Sequence, residues 1–152
     1  MADIVFNIAK GRVAELYNRV DLGDPAAARL YIIPISAGAV TDATARDCDD
    51  FAALVTAGVT ERTANGWNRK TLAAADLATM TVDDTNDRMP LDAADQTWTA
   101  VTVDAVTDLV FCYASVGSPT NAQLLPLTMH DFPITPDGSD VVATIADFYR
   151  AS

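Results

Sequence analysis

Asp83, Asp84, Asn86 and Asp87 form the densest group of oxygen-bearing side chains in the sequence. Oxygen donors crowded in this way can coordinate a divalent cation such as Ca2+. The spacing is not that of an EF-hand loop, because Arg88 stands at the sixth position and Ala94 at the twelfth, where glycine and glutamate are required. Asp- and Asn-rich turns between strands bond to their own backbone, so the expectation is a self-closing turn. These four residues are the metal candidates; no cofactor is expected.

General acid–base chemistry would have to use His130, the single histidine, with Asp131 beside it. Neighbours on a strand point to opposite faces, so Asp131 is not placed to orient His130. No G-x-S-x-G elbow supplies a nucleophile. Gly11, Gly23, Gly38 and Gly58 are isolated, so no phosphate-cradling loop is present. His130 is therefore read as a boundary histidine of a protein that is not an enzyme, a small hydrolase around it being the competing view. Trp67 and Trp98 offer an aromatic surface. Trp98 lies on an alternating strand and is expected in the core. Trp67, beside the turn dipeptide Asn65-Gly66, suits either the core or, with the Asp-rich turn, a Ca2+-dependent carbohydrate-binding surface. Aspartates are scattered throughout, so paired carboxylates arise by chance and discriminate nothing.

Composition narrows the functions further. The 152 residues suit one domain, 1–152, with 1–7 as a possible docking arm, and half of them are hydrophobic. The net charge of -11 argues against a nucleic-acid or anionic-membrane partner, since both need clustered Lys and Arg. It favours a soluble chain that repels its own copies until assembled. The start lacks a basic n-region and a long apolar stretch, and no run approaches the ~18 apolar residues of a membrane span. Cys48 and Cys112 are too few for a disulfide framework and read as small buried hydrophobes.

The elements that hold these residues follow from periodicity. Ala9, Val13, Leu16 and Val20 make one apolar stripe, which predicts a helix over 8–20 with Asn7 as N-cap and Gly23 past its end. Arg29–Ile35 is a strand whose Pro34 removes a ladder donor, which predicts a sheet edge. Thr44–Ala57 reads as a second helix, with Thr44 and Asp47 in a capping box and a Cys48, Phe51, Ala52, Val55 stripe, ended by Gly58. The periodicity leaves 71–78 open between helix and strand. Strands are predicted at 97–103, with Trp98 and Ala100 on one face, and at 109–114, whose unbroken apolar run marks a central strand. Leu124–Thr128 and Val141–Tyr149 would close the chain as a loose hairpin around Thr135-Pro136-Asp137-Gly138. The sum is a sheet-rich α+β fold: two short helices in the N-terminal half and an antiparallel β-sandwich or barrel in the C-terminal half.

Five segments carry a resemblance: Ala9–Val20, Val82–Arg88, Asp95–Ala100, Pro136–Asp140 and the ending Phe148–Ser152. In this order, and nearly end to end, the chain resembles a family of small proteins encoded in the structural-gene modules of tailed bacteriophages. The resemblance implies a virion component on the capsid exterior, made in the host cytoplasm. A capsid decoration or minor capsid protein, binding the major capsid protein as a homo-oligomer, is the expectation, with a head–tail connector or tail component as the alternative. The expected docking residues are Ile4, Val5 and Phe6 of the arm and Tyr31, Ile33 and Ile35 of the predicted edge strand, used by strand addition.

Overall fold

The apolar run at 109–114 lies at the centre of the main sheet, where its composition places it. The computed structural model describes residues 2–151; Met1 and Ser152, the outer ends of the expected arm and of the last motif, lie outside them. In chain order the strands and helices are β1 (Ile4–Val5), α1 (Val13–Asp21), β2 (Arg29–Ser36), α2 (Asp42–Arg46), α3 (Phe51–Ala57), β3 (Thr60–Glu61), β4 (Lys70–Leu72), β5 (Met89–Leu91), β6 (Gln96–Trp98), β7 (Val106–Ala114), β8 (Leu125–Ile134), β9 (Val141–Ala143) and β10 (Tyr149–Ala151). The main sheet has six strands in the order β1-β8-β7-β2-β3, with β4 also paired to β2; β5–β10 and β6–β9 are separate two-stranded sheets. All these pairings are antiparallel. The fold is a strand-dominated α+β arrangement with no closed barrel among the described residues.

Pro34 does not mark an edge. β2 pairs with β7 along its length and, on its other side, with β4 at Leu30–Ile32 and β3 at Ile35–Ser36. Pro34 falls in the gap between those short strands, where its carbonyl accepts from the Arg62 N–H at 2.9 Å. In a strand the N–H and C=O of one residue point the same way, so the donor that proline lacks is missing on the side of Arg62, just past the end of the two-residue β3, and not on the side of the long β7 ladder. The strand can thus carry a proline and still be interior.

Expectations about both helices give way to local competition. The helix over 8–20 is split: Asn7–Ala9 is a 3-10 turn, Gly11 turns the chain at φ +77, and α1 begins at Val13. Asn7 caps nothing and instead donates to Asp47 Oδ1 at 2.6 Å. At the other end Gly23, at φ +63, closes α1 as its position suggests, its N–H donating to the Val20 carbonyl. The second helix also breaks, because Asp50 accepts from the Ala53 N–H at 2.7 Å and starts a new helix there. Thr41, not Thr44, caps α2. The break shifts the phase, so Leu54 is buried while Val55 is exposed.

The closing hairpin does not form. β8 runs on to Ile134 and pairs with β7 and β1, while β9 returns to β6 and β10 to β5. Each face of the main sheet is covered by a different set of elements. Phe111 and Cys112 are neighbours on β7 and so point to opposite faces. On one face Phe111 stacks on Phe148 (centroids 4.6 Å apart), which in turn meets Tyr17 of α1 at 6.0 Å. The Tyr17 hydroxyl lies within reach of the carbonyls of Ala78 (2.6 Å) and Asp92 (2.5 Å), and burial pushes it up to about 12. On the face shared with Cys112, α3 is held by the Phe51 N–H donating to the Leu124 carbonyl at 3.0 Å. Cys48 and Cys112 are both buried and free, as small hydrophobes in a core.

Candidate functional site

A groove of about 550 Å3 runs between the end of the main sheet and the C-terminal segment 143–150. Asp3 and the Ile4 and Val5 of β1 form part of its wall, β7 supplies Leu109 and Phe111, and β8 supplies Thr128, His130, Asp131 and Phe132. Thr128 and His130 share a face because they are two apart on a strand, and Phe111 lies opposite Thr128 in the β7–β8 register. The segment above the groove is held in place by the Ile145 N–H donating to Asp95 Oδ1 at 2.8 Å and by the Phe148 stack on Phe111.

His130 is the centre of the polar end. Its Nε2 lies 3.0 Å from Thr128 Oγ1 and its Nδ1 lies 3.5 Å from Asp3 Oδ2. The Phe111 ring meets the imidazole edge-on at 5.3 Å. Asp131 is not the orienting acid, in line with strand alternation; the acid is Asp3, which pairing of β1 with β8 brings alongside from the far end of the chain. With Nδ1–H turned to the carboxylate, Nε2 is left to accept from the Thr128 hydroxyl. This is the order hydroxyl, imidazole, carboxylate found in nucleophilic sites. Thr128 is only 1% exposed, however, which denies a substrate the approach that a nucleophile needs.

Burial pushes the His130 imidazole below its ordinary value of 6.5, against the opposing pull of Asp3. His130 therefore binds its proton less tightly in the folded than in the unfolded chain. The stability tied to it is complete above about pH 6.5 and is lost as pH falls through the lower folded-state value. Unfolding free energy is expected to drop more steeply between about pH 7.5 and about pH 5.5 in the wild type than in His130→Asn. Equal slopes in the two proteins would show that His130 is not held neutral by the fold.

The remaining sequence candidates have other duties. Ile4 and Phe6 are buried and Val5 is half-buried, because the expected arm is β1 of the sheet, with the Phe6 N–H donating to the Leu127 carbonyl at 3.1 Å. Tyr31, Ile33 and Ile35 are buried on the interior strand β2. Tyr31, Ile33 and Ile35, on an interior strand, do not offer a sheet edge for strand addition, whereas β1 is the end strand of the main sheet. Beyond the short β1, the uncovered part of β8 is blunted: Asp3 Oδ1 occupies the Asp131 N–H at 2.9 Å, and farther on the β7–β8 ladder slips and Pro133 removes a donor.

The Asp-rich turn closes on itself. Asp83 accepts from the Asn86 N–H and side chain and from Arg88 Nε, at 3.3, 2.8 and 2.9 Å. These bonds, with Asn86 foremost, hold its carboxyl below the usual range. Asp84 and Asp87 are exposed beside it, and no cluster of metal-ligating side chains occurs among the described residues. Trp67 is no surface platform. It is buried with its ring 5.3 Å from Trp98, its Nε1 donating to the Asp104 carbonyl at 2.8 Å. Trp98 is buried as its strand predicts, but Ala100 is exposed, because the chain leaves the strand and turns at Ala100 with φ +50.

Sequence reading missed the groove because its walls come from four separated stretches. The one local signal was the Thr128-x-His130 spacing on a single strand face. No described helix is long and apolar enough to cross a membrane. No protein-family model, curated protein or solved structure matches the chain.

Proposed function

We propose that the chain is a structural protein of a tailed-bacteriophage particle. It decorates the capsid exterior as a homo-oligomer bound to the major capsid protein lattice, is made in the host cytoplasm, and acts by binding and not by catalysis. The observation that carries this reading is the ordered series of five segments resembling small phage structural-module proteins.

The positions of those segments support reading them as a signature of one fold. Asp95–Ala100 and Pro136–Asp140 meet: Asp140 Oδ1 accepts from the Ala100 N–H at 2.8 Å, and the Val101 carbonyl accepts from the Gly138 N–H at 2.7 Å. Val82–Arg88 leads into β5, which pairs with β10 of the last segment. Ala9–Val20 supplies Tyr17, which meets Phe148 of that same segment. The five are the joints of the layer that covers the sheet. Contacts of this kind between distant segments specify a body that must fold one way, which suits a protein whose work is to fit a lattice. The charge of -11 keeps such a body off packaged DNA and off its own copies before assembly.

The test is cosedimentation of the purified protein with particles assembled without it. Saturable binding to intact particles is expected. Failure to bind at any concentration below the protein's solubility would overturn the reading.

A further inference from the structure

Asn65-Gly66 is the single Asn-Gly pair in the sequence. Such a pair exposes an asparagine to attack by its own backbone, because glycine has no side chain to shield its peptide nitrogen. The Gly66 nitrogen bonds to Asn65 Cγ, the Cγ–Nδ2 bond breaks, and the nitrogen's proton leaves with the side-chain amide as ammonia. Water then opens the cyclic imide at either carbonyl, leaving an aspartate or an isoaspartyl link at position 65.

Both residues are exposed, yet the fold holds them out of this geometry. The Trp67 N–H donates to the Ala64 carbonyl at 3.0 Å, with φ +58 at Asn65 and +98 at Gly66, which makes a type I′ turn. In that left-handed region the Asn65 ψ is about +30 to +60°, which puts the Gly66 nitrogen across the Cα–C bond from Cβ. Cyclisation needs it on the same side as Cβ. Three contacts oppose the rotation. Asn65 Nδ2 donates to Asp104 Oδ2 at 2.8 Å, and the Asn65 carbonyl accepts from the Thr102 N–H at 3.3 Å. Gly66 itself is packed so closely that an added Cβ would lie 2.8 Å from the Thr99 carbonyl oxygen.

We propose that Asn65 is this chain's site of spontaneous deamidation, and that Asp104 sets the rate by holding the turn shut. The product carboxylate stands where an amide donated to Asp104, whose carbonyl accepts from Trp67 Nε1 at 2.8 Å. Deamidation therefore loosens the turn over the buried Trp67. The inference stands apart from the capsid reading.

Folded wild type, urea-unfolded wild type and folded Asp104→Gly are incubated in mildly alkaline buffer. The tryptic peptide Thr63–Arg69 is followed by mass spectrometry; it also holds Asn68 as an internal comparison. Glycine suits the φ of +70 at position 104 and keeps the carbonyl that Trp67 uses. Deamidation at Asn65 is expected to be at least about tenfold slower in the folded than in the unfolded wild type, and about tenfold faster in Asp104→Gly than in the folded wild type. In the unfolded chain Asn65 should react well ahead of Asn68. If Asp104→Gly melts below the incubation temperature, Asp104→Asn, which keeps a neutral acceptor, carries the comparison at about threefold. Asn65→Asp, which reproduces one product, should melt about 2–4 °C below the wild type. Equal rates in folded and unfolded wild type, an unchanged rate in a folded position-104 variant, or Asn68 reacting first would each overturn the inference. An Asn65→Asp protein as stable as the wild type would overturn the loosening.

Discussion

Trp98→Ala is expected to cost about 3–5 kcal/mol of folding stability. Trp98 is fully buried at the point where the small β6–β9 sheet meets the rest of the core. Its ring lies 5.3 Å from Trp67 and 6.4 Å from Phe132, and the Lys70 ammonium sits 5.2 Å above it. Its Nε1 donates to the Asn68 carbonyl at 2.8 Å. Truncation removes the buried ring, leaves a cavity and strands that carbonyl. Against a total of about 5–15 kcal/mol for a domain, this is about a fifth of the stability or more. Trp98→Phe keeps most of the ring contact and loses the hydrogen bond, so it should cost markedly less. Urea denaturation of the three proteins reads both effects. A loss below about 1 kcal/mol for Trp98→Ala would mean that the β6–β9 layer is not part of the cooperative core.

Arg69→Ala should rank next, at about 3 kcal/mol, the low end for breaking a buried pair, because Arg69 keeps a quarter of its side chain in water. Arg69 grips Glu61 with two bonds, Nε to Oε1 at 2.5 Å and Nη2 to Oε2 at 2.6 Å. Nη2 also reaches Asn121 Oδ1 at 2.6 Å, and the guanidinium lies over the Phe51 ring at 5.4 Å. One side chain thus ties β3, α3 and the turn at Asn121–Gln123 together. Removing it leaves the Glu61 carboxylate, 13% exposed, without its cation. Arg69→Lys cannot reproduce the fork and should recover only part of the loss. Arg69→Met with Glu61→Met should be more stable than Arg69→Ala alone, since no buried charge remains. Were the double variant the less stable of the two, the pair would be stabilising in its own right and the desolvation argument would fail.

Local patterns carried much of the fold and almost none of the groove. The apolar run at 109–114, the alternation around Trp98 and the stripe of Val13, Leu16 and Val20 were legible because each element's burial follows from its own periodicity. Pro34 misled because its lost donor is a local fact, while the partners that keep β2 interior, β3 and β4 on one side and β7 on the other, come from elsewhere in the chain. Asp50 lies inside the single helix that the stripe predicts over 44–57, yet it caps a separate one. The apolar runs flanking Pro136-Asp137-Gly138 suggested a hairpin, but β7 and β6 offer β8 and β9 better partners than each other. The Asp3–His130 contact joins residues at opposite ends of the sequence, and no spacing rule reaches across that separation.

Copy number per particle tests the central claim most directly, by quantitative mass spectrometry of purified virions against the major capsid protein. Capsid symmetry makes the expected result about one copy per major capsid subunit, or one per local threefold or sixfold position. About a dozen copies or fewer would place the chain at the portal vertex or tail, and absence from the particle would contradict the structural reading altogether.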